Sequence, residues 1–358
     1  MFLLDKIFNL ISNHNIRKFQ YLLEFPDEYC FGIEKINYFD TNNVLTKLVE
    51  MYCLKNDLFE NGIIVSLSGG VDSMVIVAIL CSLRTKYFFD IYAVHVNYNL
   101  REESHDEATF LEKFCYQWNI NLIVKNFDMN NYESDFSKSR KIKNRKLFED
   151  ESKKIRFEGY KELIERHGCT GVILGHHQDD IIENIFTNCM RGHNILDIEV
   201  MKEYNVIDNV NIYRPFLSIR KKTIFSFAHK NNIPYFKDTT PDWSRRGQMR
   251  NEIFPLFEKV FTESWKDKFK EIGTQSNNWD KTVNNLIIKP WFEKAITGEC
   301  GFILEIMHTN DLNLWCYALP KLFFKSGLPT IKKKSISNLL NKINDKSKGK
   351  INLDSGFE

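Results

Sequence analysis

Residues 62–73 read GIIVSLSGGVDS. The first half, Gly62–Leu67, is apolar at nearly every position rather than at alternate ones, which suits a strand covered on both faces. The second half, Ser68-Gly69-Gly70-Val71-Asp72-Ser73, turns the chain and opens a helix. Two adjacent glycines let the backbone approach a bound anion closely. Ser68 and Ser73 add hydroxyls, and the helix start supplies free N–H groups and the positive end of the dipole. Strand, small-residue turn and helix together make a phosphate cradle. A tight turn with a capping Asp is the competing structural reading. The G-x-x-x-x-G-K-[ST] pattern is not present in these residues, which disfavours kinase or GTPase chemistry at the γ-phosphate.

Working outward, three more apolar runs follow: Ile91–Val96 (IYAVHV), Asn121–Val124 (NLIV) and Gly171–Gly175 (GVILG). Helix-like spacing fills the intervals at Ser73–Leu83, Glu103–Trp118 and Ser152–His167. This rhythm predicts βαβ units and an α/β fold with a doubly wound parallel sheet, whose ligands bind at the carboxyl ends of the strands. Three segments are expected: a helical N-terminal extension over residues 1–60, a catalytic domain over 61–262, and a small, mostly helical domain over 263–358. Lys138–Lys146 (KSRKIKNRK) holds six basic residues in nine and reads as an exposed loop, either a solvated insertion or an RNA backbone contact.

The residues just past the strands are the candidates for chemistry. His95 and Arg101 follow the second run. The fourth leads into Gly175-His-His-Gln-Asp-Asp-Ile-Ile-Glu183. A helix beginning near His177 puts Asp180 and Glu183 three residues apart on one face, with His176 at the strand end. Carboxylates so grouped either hold Mg²⁺ against phosphates or bind a cation and accept its proton.

Bulk composition is that of an ordinary globular chain: 43% hydrophobic and 27% charged residues, with a net charge of +2. No charge excess announces a nucleic-acid partner, so any basic patch must be local. The eight cysteines include no C-x-x-C pair, which excludes the common zinc and iron–sulfur spacings. Charges at Asp5 and Lys6 break the apolar start, and no run reaches the length of a membrane span. The expectation is a cytoplasmic protein with no membrane partner.

The hexapeptide Ser68–Ser73 resembles the loop of the N-type ATP pyrophosphatases (PP-loop superfamily). The chain is similar further to the tRNA(Ile)-lysidine synthetase family, over residues 61–260. The similarity lies in His95-Val-Asn-Tyr-Asn-Leu-Arg101, in Gly175–Glu183 with Arg191-Gly192, and in Arg156-Phe157. It continues at Arg214-Pro-Phe-Leu217, Arg220-Lys221, Asp238 and Arg250-Asn-Glu-Ile253. Tyr98, Asn99 and Pro241 depart from the family's pattern.

The resemblance implies adenylation of the wobble cytidine of a CAU-anticodon tRNA(Ile) at its C2 oxygen, then attack by free L-lysine. AMP and pyrophosphate are released, and the cofactors are ATP and Mg²⁺. It assigns Asp72, Arg156, His176, Asp180 and Glu183 to catalysis, and Ser68, Gly69, Gly70, Val71, Asp72, Ser73 and His95 to ATP. Arg101, Arg191, Arg214, Arg220 and Arg250 go to tRNA, as does the C-terminal domain, and Asp72 with Asp179 to Mg²⁺. A homodimer is an admissible assembly. The alternatives are a thiolase-type PP-loop enzyme or a catalytically decayed RNA-binding relative.

Overall fold

The computed structural model describes residues 43–99, 104–127, 138–236, 244–298, 301–303, 305–307, 309, 311–329 and 331–345. Strand β1 (Ile63–Ser66) is central, with β2 (Ile91–Asn97) and β4 (Gly171–Ile173) pairing parallel on its two sides. Next to β2 runs β3 (Asn121–Asn126), also parallel. Beyond β4 lies β6 (Val210–Tyr213), again parallel, followed by an antiparallel edge strand, β5 (Tyr204–Ile207). The order β3-β2-β1-β4-β6-β5 therefore reverses direction between β1 and β4. Such a switch point opens a crevice at the strands' carboxyl ends.

Helices cover both faces, which explains the unbroken apolar runs. Ile63, Val65 and Leu67 turn to a core shared with helices α1 (Val44–Lys55), α2 (Val71–Tyr87) and α3 (Ser104–Gln117). Ile64 turns to the other face, where Tyr160 and Leu163 of α4 (Lys138–His167) pack. Gly159 permits this approach, because a Cβ there would lie 2.8 Å from Val94 Cγ1.

Two expectations change here. Residues 138–146 are helix rather than loop: from Lys138 to Glu158 no Gly or Pro interrupts a run of good helix formers, so charge alone was no sign of a loop. And α1 is no appendage, since Leu45, Val49 and Cys53 are fully buried in the core shared with β1 and α2; residues 1–42 lie outside the described set.

The chain divides into two compact units, Met1–Ile181 with Lys202–Glu252, and Ile182–Met201 with Ile253–Glu358. The division falls within helix α5 (Gln178–Met190). The first unit also contains α6 (Lys221–Lys230) and the short α7 (Arg245–Gln248). In the second are α8 (Phe254–Phe261), α9 (Trp265–Val283), α10 (Lys289–Glu293), the hairpin β7 (Ile296–Gly298) and β8 (Gly301–Ile303), α11 (Leu312–Lys325) and α12 (Lys333–Asn344).

A contiguous domain ending at 262 thus differs from what the contacts give. Phe186 packs against Phe254, Phe257 and Phe269 at ring distances of 5.7–6.0 Å, and the Ile198 N–H lies 3.4 Å from Ser276 Oγ. Phe186 and Ile198 thus meet partners that lie after position 253 in the chain. Among the described residues no helix is long and apolar enough to cross a membrane.

Candidate functional site

The turn after β1 is built around one left-handed glycine. Gly69 takes φ +80°, the left-handed region that side chains disfavour, and a Cβ there would sit 2.3 Å from the Phe236 ring. Phe236 braces the turn by donating its N–H to the Gly69 carbonyl at 2.8 Å. Gly70 then starts α2 with no side-chain cap, which leaves first-turn N–H groups to a ligand. Ser68 Oγ lies 3.1 Å from Ser73 Oγ, and Ser73 Oγ donates to the Gly70 carbonyl at 3.0 Å. Val71 is buried in the core, so only its backbone is offered to the turn. His95 lies beneath: its Nδ1 is 2.8 Å from the Leu67 carbonyl. A carbonyl only accepts, so Nδ1 carries the hydrogen, and burial keeps the ring neutral by pushing its pKa down.

The segment after β4 runs directly against this turn; a Cβ on Gly175 would lie 2.9 Å from Asp72 Cβ. His177, only 2% exposed, sits among three carboxylates. Its Nε2 is 3.7 Å from Asp72 Oδ1 and 3.5 Å from Asp180 Oδ2, and its Nδ1 is 3.7 Å from Asp179 Oδ2.

Asp72 and Asp180 are displaced in opposite directions. Burial raises the Asp72 pKa, with the Asp180 charge adding to it, and the Lys221 ammonium 3.6 Å from Oδ2 does not offset this. Burial also pushes Asp180 upward, but His177, Arg246 and His176 outweigh it and hold that carboxyl below its usual value. Asp180 accepts the His177 peptide N–H at 3.0 Å, and Arg246 and Arg250 each approach Oδ1 at 3.4 Å.

The two proposed metal ligands fare differently. Asp72 Oδ1 is buried without a hydrogen-bond partner, an orphaned carboxylate oxygen that fits a cation. Asp179 Oδ2 accepts the Lys221 N–H at 2.9 Å and so caps the start of α6. Among the described residues no cluster of three or more ligating side chains could hold a metal unaided. Mg²⁺ brought in on phosphates needs only one or two carboxylates.

Arg214, expected at the tRNA, is turned inward. It is 5% exposed, and its donors point inward, Nε to His176 Nδ1 at 2.9 Å and Nη1 to Asn205 Oδ1 at 2.6 Å. Nε and Nη1 are thus engaged inside the fold. Burial pushes His176 down to about 4, helped by the neighbouring Arg214 and Arg246 charges and opposed by Asp180.

Arg156 lies on α4 one turn before Tyr160, whose hydroxyl donates to Ser66 Oγ at 2.7 Å, and its buried Nε has no partner. Glu183 is buried one turn beyond Asp180 on α5, and Arg191 is exposed just past the end of that helix. Arg220 is the N-cap residue of α6. Arg101, Asp238 and Pro241 lie outside the described residues.

Sequence reading assigned no role to His177, Lys221, Arg246 or Phe236. The first two stand inside quoted motifs beside residues that were chosen. Arg246 and Phe236 had no local signal, because their partners are distant in sequence.

A profile of the ATP-binding PP-loop domain matches residues 41–257. Among curated relatives, the tRNA(Ile)-lysidine synthase of Chlamydia muridarum is 28% identical over 271 residues, 74% of this chain and 79% of that protein. That of Oceanobacillus iheyensis is 30% identical over 210 residues, 57% of this chain and 43% of the relative. The chain covers less than half the length of seven such relatives, 40–49% of each. A solved U34-tRNA thiolase from Methanococcus maripaludis aligns with a TM-score of 0.47 at 17% identity, covering 68% of this chain and 79% of that one. Since the profile match takes in β1, the Ser68–Ser73 turn and the His176–Asp180 segment alike, the chain belongs to the PP-loop domain family.

Proposed function

We propose that this chain is a tRNA(Ile)-lysidine synthetase acting in the cytoplasm on ATP, tRNA(Ile) and free L-lysine. The observation that carries the reading is the meeting of an uncapped glycine turn with the His177–Asp72–Asp180 cluster at the switch point of the sheet. The tRNA(Ile)-lysidine synthases among the relatives above point the same way.

In the first step the C2 oxygen of the wobble cytidine attacks the α-phosphorus of ATP. An O–P bond forms, the bond from that phosphorus to the bridging oxygen breaks, and pyrophosphate leaves. Ser68, Ser73 and the first-turn N–H groups of α2 hold the phosphates, while the Arg156 guanidinium offsets charge building on their oxygens. Mg²⁺, held through Asp72, supplies further positive charge there when bound.

In the second step the lysine amine attacks C2. A C–N bond forms, the C2–O bond to AMP breaks, and the nitrogen loses a proton. Asp180 is a weak base, because its arginine and histidine neighbours hold it ionised. Glu183 takes the proton, and Asp180 anchors Arg246 and Arg250 beside the nucleotide. Arg101, Arg191, Arg220 and Arg250 are the arginines that meet RNA.

The test is incubation of the chain with ATP, Mg²⁺, tRNA(Ile) and lysine, followed by mass spectrometry of the tRNA nucleosides. Release of AMP should require both tRNA and lysine. Release of ADP instead would sink the reading.

A further inference from the structure

We infer that Arg214 is a positioning residue that locks His176 in the tautomer with its hydrogen on Nε2. The ring then offers a neutral hydrogen-bond donor to an oxygen of the bound nucleotide, and it transfers no proton. Arg214 Nε approaches His176 Nδ1 at 2.9 Å. A guanidinium has donors only, so Nδ1 must present its lone pair and the ring hydrogen must sit on Nε2.

The guanidinium is not free to turn away. Its Nη1 donates to the Lys202 carbonyl at 2.9 Å and to Asn205 Oδ1 at 2.6 Å, and the Arg214 peptide N–H donates to the Glu203 carbonyl at 2.8 Å. The Tyr52 hydroxyl closes the frame, donating to the same Glu203 carbonyl at 2.6 Å and lying 3.3 Å from the Arg214 nitrogen. The hairpin β5–β6 and helix α1 therefore hold one arginine against one histidine.

Protonating His176 would aim a second N–H at the Nε–H of this fixed cation. Of the groups around the ring, Arg214, Arg246 and His177 oppose its charge and Asp180 favours it. His95 shows the opposite choice, its Nδ1–H meeting the Leu67 carbonyl. Two histidines near one turn are thus held in different tautomers by different partners. A histidine's roles depend on which nitrogen carries the hydrogen, and the other nitrogen's bond sets that.

The use of this donor in turnover rests on the function proposed above; the tautomer does not. The test is ¹⁵N NMR of the histidine-labelled full chain, with the His176 signals assigned by their loss in His176→Gln. Nδ1 should appear unprotonated and Nε2 protonated, unchanged from about pH 6 to 8. Arg214→Lys, still a donor, should keep that signature, and Arg214→Met should yield a mixture of tautomers.

Hydrogen on Nδ1 in the unaltered chain would overturn the inference, even if no Arg214 variant folds. Kinetics separate donor from acid or base. Gln places an amide N–H near the position of Nε2, so His176→Gln should keep kcat within about tenfold, whereas His176→Asn should lose roughly 10²–10³-fold. If Gln falls as far as Asn, the ring moves a proton and the donor role fails. If the unaltered chain makes no AMP with tRNA and lysine, the proposed reaction has failed, and the NMR signature still decides the tautomer.

Discussion

Asp72 and Asp180 share one site, yet their environments push them apart, which separates their tasks. Burial disfavours the charged form of Asp72. Its folded pKa is raised above the unfolded value, so its charge costs stability at neutral pH. Asp72→Asn should therefore raise the melting temperature of the ligand-free chain while cutting AMP release by roughly 10²-fold or more. A thermal melt and an AMP assay check the two halves.

His176 has the opposite linkage to acid. Its pKa falls from 6.5 to about 4 on folding, so the unfolded chain takes up the proton first. Stability is intact above pH 6.5 and drains away as the pH falls towards 4, by roughly 2–3 kcal/mol. Urea melts at about pH 7 and pH 4.5 should show a smaller loss in His176→Gln than in the unaltered chain.

Glu183→Gln should retain ATP binding but let adenylated tRNA accumulate, since the first step needs no amine. Loss of ATP binding with unchanged lysine dependence would move Glu183 to the phosphate site.

At the scale of elements, the β1–α2 turn is the least tolerant junction. Gly69→Ala must accept both a left-handed φ, costing about 1–2 kcal/mol, and a contact 2.3 Å from the Phe236 ring. The turn should distort, with ATP binding weakened far more than at Gly168→Ala, where φ is +67° and nothing lies within 4 Å. Comparing nucleotide affinity and melting temperature of the two variants separates the clash from the backbone strain.

The β1 turn was legible because strand, glycines and helix start are contiguous. The β5–β6 hairpin was overlooked although its signal is present: Asp208 and Asn209 take φ +50° and +63°, the conformation of a two-residue hairpin turn. The α4 start was misread because six basic residues in nine suggested solvent, whereas helix propensity depends on side-chain entropy and not on charge.

For the whole molecule, a net charge of +2 gives no long-range attraction for RNA, so binding must rest on local basic groups. tRNA affinity should fall steeply between roughly 50 and 200 mM salt. Neutralising Lys138, Arg140, Lys141 and Lys143 together should flatten the slope by about one for each RNA phosphate that is no longer neutralised. Filter binding over that salt range tests this, and a flat response would refute it.

The division within α5 carries a further expectation. A fragment ending at 262 would strip Phe186 of Phe269 and Ile198 of Ser276, exposing apolar surface that the full chain covers. That fragment should bind a hydrophobic dye and melt without a cooperative transition, whereas the 358-residue chain should not bind the dye.

Two kinds of information separate at the end. The sequence by itself determined the parallel sheet, the phosphate turn and the acidic segment after β4, because each is a contiguous pattern whose period and small residues act over a few positions. Only the tertiary structure decided which polar groups meet. Arg214 reaches His176 across 38 residues, the Lys221 peptide N–H meets Asp179 across 42, and Arg246 and Arg250 reach Asp180 across 66 and 70. Protonation and tautomer depend on burial and on groups within a few ångströms, and packing of the sheet against its helices brings those groups together.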